Sequence, residues 1–356
     1  MATDRAKLGR IDSAEADLNN LLSSAHRNAT LYFHYPCFDG LVSAAITWEF
    51  LEQWAHWRIE ELCPVNYDQS PTWTHRNLGS TSAVVDFLFH PKATLWADHH
   101  PTGISAKYSN QTDDNSPKNK WRAYDPTSRS CAELLWRNVG ATLHHARRFD
   151  EMVFWATKID SAAYDSVEEA LFGDAPAIRI SLSLILANGA DYGTLLVQAL
   201  RRGTLSDAAS LPDVAERAKE AGRRIRKGLD EAGRHVRIEG DIAVLRAQQY
   251  PDVVISRYAP YYFYPNARYS IAMIESESGA KITAMRNPWM DFSSIPLGRI
   301  FQKYGGGGHE RVGSVVIPQA KSNERRSLFE RLLGDVQAHV QAKSMEEGHS
   351  LTGSAP

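Results

Sequence analysis

Asp98, His99 and His100 place one carboxylate and two imidazoles side by side at the end of an apolar segment, LWADHHPTG, residues 95–103. Glycine, asparagine or serine would satisfy an ordinary turn at this position better than these side chains do. Such a concentration of carboxylate and imidazole groups favours binding of a positively charged species. The segment therefore indicates a cation site rather than a simple strand end.

Other acidic and imidazole side chains also follow apolar segments. His34 and Asp39 lie in HYPCFDG, Asp86 in AVVDF and Asp160 in KIDSA. With residues 98–100 they form a set of oxygen and nitrogen donors without a thiolate cluster, which suits Mn²⁺ or Mg²⁺ better than structural zinc. Taken singly, each has an ordinary explanation: a helix N-cap for Asp39, an arginine partner for Asp86, a surface helix end for Asp160. The joint pattern indicates a metal site.

A second segment with chemical potential is KYGGGGHERVG, residues 303–313. Four glycines could form a flexible connector, but helical and strand-like segments flank them directly. Glycines also let backbone N–H groups approach a phosphate closely, and His309 would add a donor or a stacking surface. Arg286, in AMRNPW, could grip phosphate oxygens in bidentate fashion, and Arg311 is a further candidate. The segment is consistent with a phosphate-binding loop.

The elements that must position these residues read as an α/β fold. ATLYFHY is strand-like, and FDGLVSAAITWEFLEQW changes to a helical period after Gly40, where glycine would permit a tight turn. SAVVDFLF and ATLWADHH are further strands, and alternation of short strands with helices predicts a parallel sheet. Ligands of such sheets collect beyond the carboxyl ends of the strands. We therefore expect the acidic and imidazole residues to form one site.

A chain of 356 residues favours two domains. We expect a helical extension at 1–29, a metal-binding catalytic domain at 30–205, a helical linker at 206–238, a smaller substrate-binding domain at 239–343 and a disordered tail at 344–356. The charged helical pattern from Asp207 to about His235 carries the linker prediction, and strand patterns resume at Val236.

Composition excludes some classes of function. With 43% hydrophobic residues, 23% charged residues and a net charge of −2, the chain has no basic track for gripping long duplex DNA. Its three cysteines share no CxxC spacing, which argues against a disulfide framework and favours a reducing cytoplasm. The first residues do not read as a signal peptide, and no apolar run reaches the length that spans a bilayer. We expect no membrane partner.

The motifs HYPCFDG, VVDF, ADHHP, KIDSA and YGGGGHERVGS, in this order over residues 30–318, resemble the DHH superfamily of phosphoesterases with a C-terminal DHHA1 domain. That superfamily includes RecJ-like single-strand exonucleases, oligoribonucleases and cyclic-dinucleotide phosphodiesterases. The resemblance implies an α/β fold with a parallel-sheet DHH domain and a smaller mixed-sheet DHHA1 domain, joined by a helical linker.

The resemblance also implies roles for residues. Asp98 would support the site and His100 would face the substrate phosphate. The metal ligands would be His34, Asp39, Asp86, His99 and Asp160. The nucleotide end of the substrate would be held by Arg286, Gly306, Gly307, Gly308 and His309.

Motif one departs from the pattern of many family members, because Cys37 stands where they have an aspartate two positions before Asp39. Cys37 is interpreted as a small buried hydrophobe or, as the less favoured alternative, as a metal ligand. The departure leaves open whether one or two ions bind.

The function expected from these features is hydrolysis of phosphoester bonds in short single-stranded oligonucleotides or small nucleotides, with Mn²⁺ or Mg²⁺ activating water in an interdomain cleft. Two alternatives are a cyclic-dinucleotide phosphodiesterase and a catalytically degenerate nucleotide-binding protein. The sequence does not decide between RNA, DNA, a cyclic dinucleotide and 3′-phosphoadenosine 5′-phosphate, nor the polarity of attack. It is also silent on oligomeric state, for which a homodimer is possible.

Overall fold

The computed structural model describes residues 27–104, 108, 120–144 and 147–352. The helical extension predicted for 1–29 lies outside these residues except for 27–29, which begin the first strand instead. Contacts divide the chain into two units. The first comprises residues up to Ala163 and Asp174–Ala218, and the second comprises Tyr164–Gly173 and the residues from Lys219 onward.

The first unit is built on a sheet of five strands, all parallel, in the order β2-β1-β3-β4-β5. Alternate residues of its strands face two different cores: Phe33 and Val85 pack in one, Tyr32 and Val84 in the other. A sheet covered on both faces explains why its central strands are nearly continuous apolar runs. The strands are β1 (Arg27–His34), β2 (Trp57–Val65), β3 (Ser82–Val85), β4 (Leu95–Asp98) and β5 (Trp121–Tyr124).

The strand order creates a crevice at one edge of this sheet. From β1 the chain crosses to β2 on one side, and then returns to β3 on the other side of β1. Connections leaving neighbouring strands in opposite directions open a ligand crevice at their carboxyl ends. β1 ends at His34, and Asp86 follows β3, whose Val85 pairs with Phe33. The topology therefore sets these two residues side by side.

The first helix of the described residues approaches the sheet closely. It begins at Phe38, so Gly40 lies inside the helix rather than in the predicted turn. A Cβ atom at Gly40 would stand 2.0 Å from the carbonyl oxygen of His34. Only glycine therefore lets the helix pack this closely against the end of β1. The helices up to residue 209 are α1 (Phe38–Gln53), α2 (Cys131–Val139), α3 (Arg147–Asp160), α4 (Val167–Phe172), α5 (Pro176–Leu184), α6 (Ala190–Arg202) and α7 (Leu205–Ala209); of these, α4 belongs to the second unit.

The second unit contains a mixed sheet of six strands in the order β10-β11-β9-β8-β7-β6, in which only β7 and β8 pair in parallel. Its core packs the sheet against α10 and α11 through residues such as Phe301 and Phe329. The strands are β6 (Arg237–Glu239), β7 (Ile242–Gln248), β8 (Tyr269–Ser276), β9 (Gly279–Arg286), β10 (Gly307–His309) and β11 (Val312–Pro318). The remaining helices are α8 (Pro212–His235), α9 (Ala259–Phe263), α10 (Leu297–Gln302) and α11 (Arg325–Thr352).

A parallel five-stranded sheet and a separate mixed six-stranded sheet confirm the predicted fold class. The division between units falls within α8, after Ala218, and α8 itself lies in the range 206–238 predicted as a linker. Residues 164–173 belong to the second unit, although the sequence placed them in the first domain. The closing helix continues to Thr352, nine residues into the predicted tail. Among the described residues, no helix is long and apolar enough to cross a membrane.

Candidate metal centre

The structure brings the predicted acidic and imidazole residues together at the carboxyl edge of the first sheet. His99 is at the centre of the cluster. Its Nε2 atom lies 3.4 Å from Oδ2 of Asp160, 3.7 Å from Oδ2 of Asp39 and 3.7 Å from Oδ1 of Asp86. His34 joins from the end of β1, with its Nδ1 atom 3.4 Å from Oδ2 of Asp86. Side chains from three strand ends and two helices therefore converge.

Asp39 is anchored by the start of a helix. It lies in the first turn of α1 and does not cap that helix; its carboxylate instead accepts N–H groups of Cys131 at 2.7 Å and Ala132 at 2.9 Å, at the start of α2. A helix N-terminus stabilises negative charge there. Burial, together with the charge of Asp160, nevertheless raises the pKa of Asp39 to about 6. The carboxylate is held in place but is not neutralised by the protein.

The orientation of His99 is set by a backbone carbonyl. Its Nδ1 atom lies 3.1 Å from the carbonyl oxygen of Ser128, which can only accept, so Nδ1 carries the proton and donates. Nε2 then faces the three carboxylates of Asp39, Asp86 and Asp160. A ligand imidazole fixed through its other nitrogen is typical of metal sites.

Asp98 and His100 form a tight pair next to this cluster. Nδ1 of His100 lies 2.8 Å from Oδ1 of Asp98, and the same oxygen accepts the backbone N–H of His99 at 2.9 Å. Burial opposes the charging of His100, but the carboxylate of Asp98 outweighs it and the pKa of His100 is raised to about 9. A Cβ atom at Gly103 would stand 2.0 Å from Oδ2 of Asp98, so only glycine fits against this pair.

Asp86 is the least compensated carboxylate of the cluster. It is 1% exposed, and within the described residues neither of its carboxylate oxygens accepts a hydrogen bond. Its backbone φ of 56° is in the left-handed region, which aspartate tolerates at a small energetic cost. Burial, together with the charge of Asp39, raises the pKa of Asp86 well above its usual range. His34 gives no positive charge, because burial lowers its pKa to about 3 and keeps the imidazole neutral.

These residues fit a divalent cation. A buried carboxylate without a partner costs several kcal/mol, which a bound cation would offset. Neutral imidazole and carboxylate are also the forms in which these side chains bind metal. Three groups offer ligand atoms lying within 4.8 Å of one another: His34, Cys37 and Asp86; Asp86, His99 and His100; Asp39, His99 and Asp160.

The glycine-rich segment is a strand, not a connector. Gly307–His309 form β10, an edge strand that pairs with β11. A Cβ atom added at Gly306 would stand 2.3 Å from the carbonyl oxygen of Ser314, and one added at Gly308 would stand 2.1 Å from that of Val312. Close packing of the β10–β11 hairpin therefore explains both glycines. At Gly307, by contrast, no described atom lies within 4 Å of such a Cβ. Phosphate binding by the hairpin stays a prediction.

Arg286 is engaged by the chain itself. It is 5% exposed, and its guanidinium donates to the carbonyl oxygens of Phe292 at 2.5 and 3.0 Å and of Asn287 at 3.1 Å. The sequence predicted a guanidinium available for phosphate, whereas the loop after β9 folds back and presents carbonyls to it. Arg286 thereby supports this loop, and its contact with a substrate stays a prediction.

Several contributors to the metal cluster were missed in the sequence. The Ser128 carbonyl and the N–H groups of Cys131 and Ala132 are backbone groups without a residue-type signal, although the capping pattern SCAE at 130–133 marks a helix start. Gly103, the last residue of LWADHHPTG, is visible in the sequence as a possible position of close packing. Tyr67, whose ring lies 5.0 Å from that of His34 and 6.1 Å from that of His100, had no recognisable signal.

The fold and the cluster define a two-unit α/β protein with an acid–imidazole site at the switch point of a parallel sheet. The chain is similar in structure to a pGpG-specific phosphodiesterase, PggH, from Vibrio cholerae, with a TM-score of 0.60, 19% identity and coverage of 87% of this chain and 100% of that one. It is also similar to RecJ from Thermus thermophilus in complex with Mn²⁺, with a TM-score of 0.52, 16% identity and coverage of 90% of this chain but only 54% of that RecJ. No protein-family model matches the sequence, and no curated protein matches it either.

These similarities concern the fold. One neighbour is a pGpG-specific phosphodiesterase and the other is RecJ, and both share the fold that the resemblance implies. At such identities they do not transfer a substrate to this chain.

Proposed function

We propose that this protein is a divalent-cation-dependent phosphodiesterase that hydrolyses short oligonucleotides or small nucleotides. One observation carries the proposal: the buried carboxylate of Asp86 accepts no hydrogen bond from the described part of the chain, and its oxygens lie 3.4 to 3.7 Å from imidazole nitrogens of His34, His99 and His100 at the switch point of the parallel sheet. Such an arrangement is costly without a cation and useful with one. A purely structural role would not explain why the fold keeps it.

In this proposal His34, Asp39, Asp86, His99 and Asp160 hold one or two ions, Mn²⁺ or Mg²⁺. A bound ion would lower the pKa of a water molecule and offset negative charge on the phosphoryl oxygens. His100, oriented through Nδ1 by Asp98, would direct Nε2 to the substrate phosphate and donate a proton to the leaving oxygen. Ser128 would keep the His99 ring turned towards the carboxylates.

The substrate part of the proposal is a short nucleotide. The net charge of −2 does not suit a long polyanion. The pGpG-specific phosphodiesterase, whose whole length this chain matches in fold, favours a substrate of about two nucleotides. The predicted contacts of Gly306, Gly307, Gly308 and His309 with the nucleotide end belong to the same proposal. A cytoplasmic location is proposed on the spacing of the three cysteines.

A substrate panel tests the proposal. Linear dinucleotides, cyclic dinucleotides, 3′-phosphoadenosine 5′-phosphate and short RNA or DNA strands would be incubated with the protein and Mn²⁺, with a chelator in parallel. We expect chelator-sensitive release of mononucleotides from linear dinucleotides, with slower or no attack on long strands. The product ladder from labelled strands would give the polarity. Preferential opening of cyclic dinucleotides would support the alternative substrate instead.

A non-catalytic nucleotide-binding protein is the second candidate, and Cys37 in motif one is the observation that favours it. The two functions differ in metal content. Metal analysis of the purified protein after Mn²⁺ loading should show bound ions for the enzyme and none for the binder. Substrate binding without bound metal or turnover would support the second candidate.

A further inference from the structure

Cys37 lies between the end of β1 and the start of α1, next to the metal cluster. It occupies the N-cap position of α1, yet its side chain makes no capping hydrogen bond. The Sγ atom, a ring nitrogen of His34 and a carboxylate oxygen of Asp86 all lie within 4.8 Å of one another. Cys37 is therefore placed with two residues that already need a positively charged partner.

The other two cysteines have packing explanations that Cys37 lacks. Cys131 is fully buried in the main core, and its Sγ atom lies 3.4 Å from the Ala97 carbonyl oxygen. Cys63 packs in the smaller core beneath Trp73 and Trp96. Cys37 is only partly buried and belongs to neither cluster of described residues. A small apolar filler is therefore a poor description of it.

Two of the three groups of ligand atoms share no residue and differ in chemistry. Asp39, His99 and Asp160 form one group, with two oxygens and one nitrogen. His34, Cys37 and Asp86 form the other, with one nitrogen, one sulfur and one oxygen. Asp86 faces both, because Oδ1 lies 3.7 Å from His99 while Oδ2 lies 3.4 Å from His34. Two ions could therefore be held side by side with Asp86 between them.

Two members of the group containing Cys37, Asp86 and His34, lack protein hydrogen-bond partners in the described part of the chain, while the backbone N–H of Gly40 interacts with the Cys37 sulfur. Asp39 receives two N–H groups from α2, whereas the oxygens of Asp86 and Nδ1 of His34 make no hydrogen bond within the described residues. These atoms are almost inaccessible to solvent, and Asp86 is 1% exposed. An ion on this side would supply the missing interactions for both residues at once.

We propose that Cys37 is a thiolate ligand of a second cation subsite formed with His34 and Asp86, so that the two subsites differ in their metal preference. This inference rests on the proposed function and specifies its cofactor. Thiolate and imidazole ligands favour Co²⁺, Zn²⁺ or Fe²⁺, while Mg²⁺ prefers oxygen. Mg²⁺ should therefore occupy the Asp39, His99 and Asp160 subsite and leave the other weakly filled.

Cobalt titration of the metal-stripped, full-length protein tests this subsite directly, because a cysteine thiolate bound to Co²⁺ gives a sulfur-to-metal charge-transfer band in the near ultraviolet. The wild type should bind two equivalents of Co²⁺ and show the band. In Cys37→Ser the band should disappear and the affinity for one equivalent should fall by about tenfold or more. Circular dichroism would verify that the variant is folded.

Three further variants make the result specific. Cys37→Asp should keep two equivalents of metal, lose the band and gain affinity for a second Mg²⁺, because an oxygen replaces sulfur. Cys63→Ala and Cys131→Ala remove the other thiols and should keep the band. If Cys37→Ser fails to fold, Cys37→Asp still tests the band.

The outcomes separate this inference from the proposed function. Two bound Co²⁺ ions without the band, a band that persists in Cys37→Asp, or a band lost in Cys131→Ala would overturn the role of Cys37 and leave the phosphodiesterase proposal standing. A wild-type protein that binds no ion at all would overturn both.

Discussion

The two candidate binding regions of the molecule satisfy their polar groups in opposite ways. At the edge of the first sheet, Asp86 is buried and, within the described residues, accepts no hydrogen bond. In the second sheet, Arg286 is also buried, but backbone carbonyls accept hydrogen bonds from its guanidinium. Unpartnered buried charge requires a ligand, whereas partnered charge is explained by the fold itself. The metal centre is thus supported by structure, and the phosphate-binding hairpin by resemblance.

The same contrast appears within the first sheet. Asp86 and Asp125 both follow a parallel strand, β3 and β5 respectively. Asp125 accepts hydrogen bonds from Thr127 at 2.9 Å and Arg137 at 2.7 Å. Although partial burial alone would raise its pKa, these partners lower it, while the pKa of Asp86 is raised well above its usual range. Position at a strand end is therefore not sufficient to make a metal ligand.

The largest effect is expected on hydrolysis, when Asp86 rather than Asp125 is replaced. Asp86→Asn should reduce hydrolysis by about three orders of magnitude, because cation binding contributes several kcal/mol to stabilising the transition state. Asparagine also tolerates the left-handed backbone at this position, so the fold should be preserved. Turnover with Mn²⁺ and thermal unfolding would be measured on both proteins.

Asp125→Asn is the matched control for this experiment. It removes a carboxylate at an equivalent strand end that already has partners, so activity and metal content should stay near those of the wild type. Equal loss of activity in the two variants, or retained Mn²⁺-dependent hydrolysis in Asp86→Asn, would contradict the assignment.

The second effect concerns stability without metal. The pKa of Asp39 is about 6 in the folded protein, against a usual value of 3.8, so the folded state holds this proton more tightly than the unfolded state. Its contribution to stability is full below pH 3.8 and is lost as the pH rises through 6. At about 1.4 kcal/mol per pKa unit, the loss is about 2 to 3 kcal/mol.

Urea unfolding of the metal-stripped protein between pH 4 and about pH 7 would measure this loss. Asp39→Asn cannot ionise at this position and should show a smaller decrease over the same range. Saturating Mn²⁺ should reduce the decrease in the wild type, because the ion binds the charged carboxylates. The same pH dependence in the wild type and the variant would refute this explanation.

Side chains placed by strand ends could be predicted from the sequence, whereas the backbone groups that orient them could not. His34, Asp86 and Asp98 could be grouped from the sequence because strands of a parallel sheet share one carboxyl edge. The Ser128 carbonyl that orients His99 could not, since a carbonyl has no residue-type signature. For the same reason the anchoring of Asp39 by two backbone N–H groups of α2 was not foreseen.

The fold was predictable where strands are central. β1, β3 and β4 are buried on both faces and read as apolar runs. β2 and β5 are the two edges of the sheet and were missed. β2 contains Pro64 and alternates buried with exposed residues, and β5 alternates buried with half-buried residues and includes the charged Arg122. Edge strands carry weaker apolar patterns and tolerate proline, so periodicity identifies them poorly.

A third prediction addresses Arg286. Arg286→Lys loses the paired hydrogen bonds to the Phe292 carbonyl, which a single ammonium cannot reproduce. The free energy of unfolding should fall by about 1 to 3 kcal/mol, while KM at a temperature where the variant is folded should change less than about twofold. A tenfold rise in KM without loss of stability would instead restore the predicted contact with phosphate.

The smallest effect is expected for Gly307→Ala. Compared with Gly308→Ala, it separates the packing role of the glycines from ligand binding in the β10–β11 hairpin. At Gly308, φ is 142° and a Cβ atom would stand 2.1 Å from the Val312 carbonyl oxygen, so Gly308→Ala should destabilise the protein whether or not substrate binds there. At Gly307 a Cβ atom meets open space among the described residues, so Gly307→Ala should leave stability within about 0.5 kcal/mol.

A phosphate approaching the backbone of β10 would nevertheless meet the new methyl group of Gly307→Ala. KM for a dinucleotide should then rise a few-fold with kcat unchanged, as expected when binding of the ground state and the transition state is weakened equally. Thermal unfolding and steady-state kinetics on the two alanine variants would measure both quantities. An unchanged KM in Gly307→Ala would mean that the four glycines serve the hairpin and that the substrate is held elsewhere, because Gly307 is the hairpin position at which packing gives no reason for glycine.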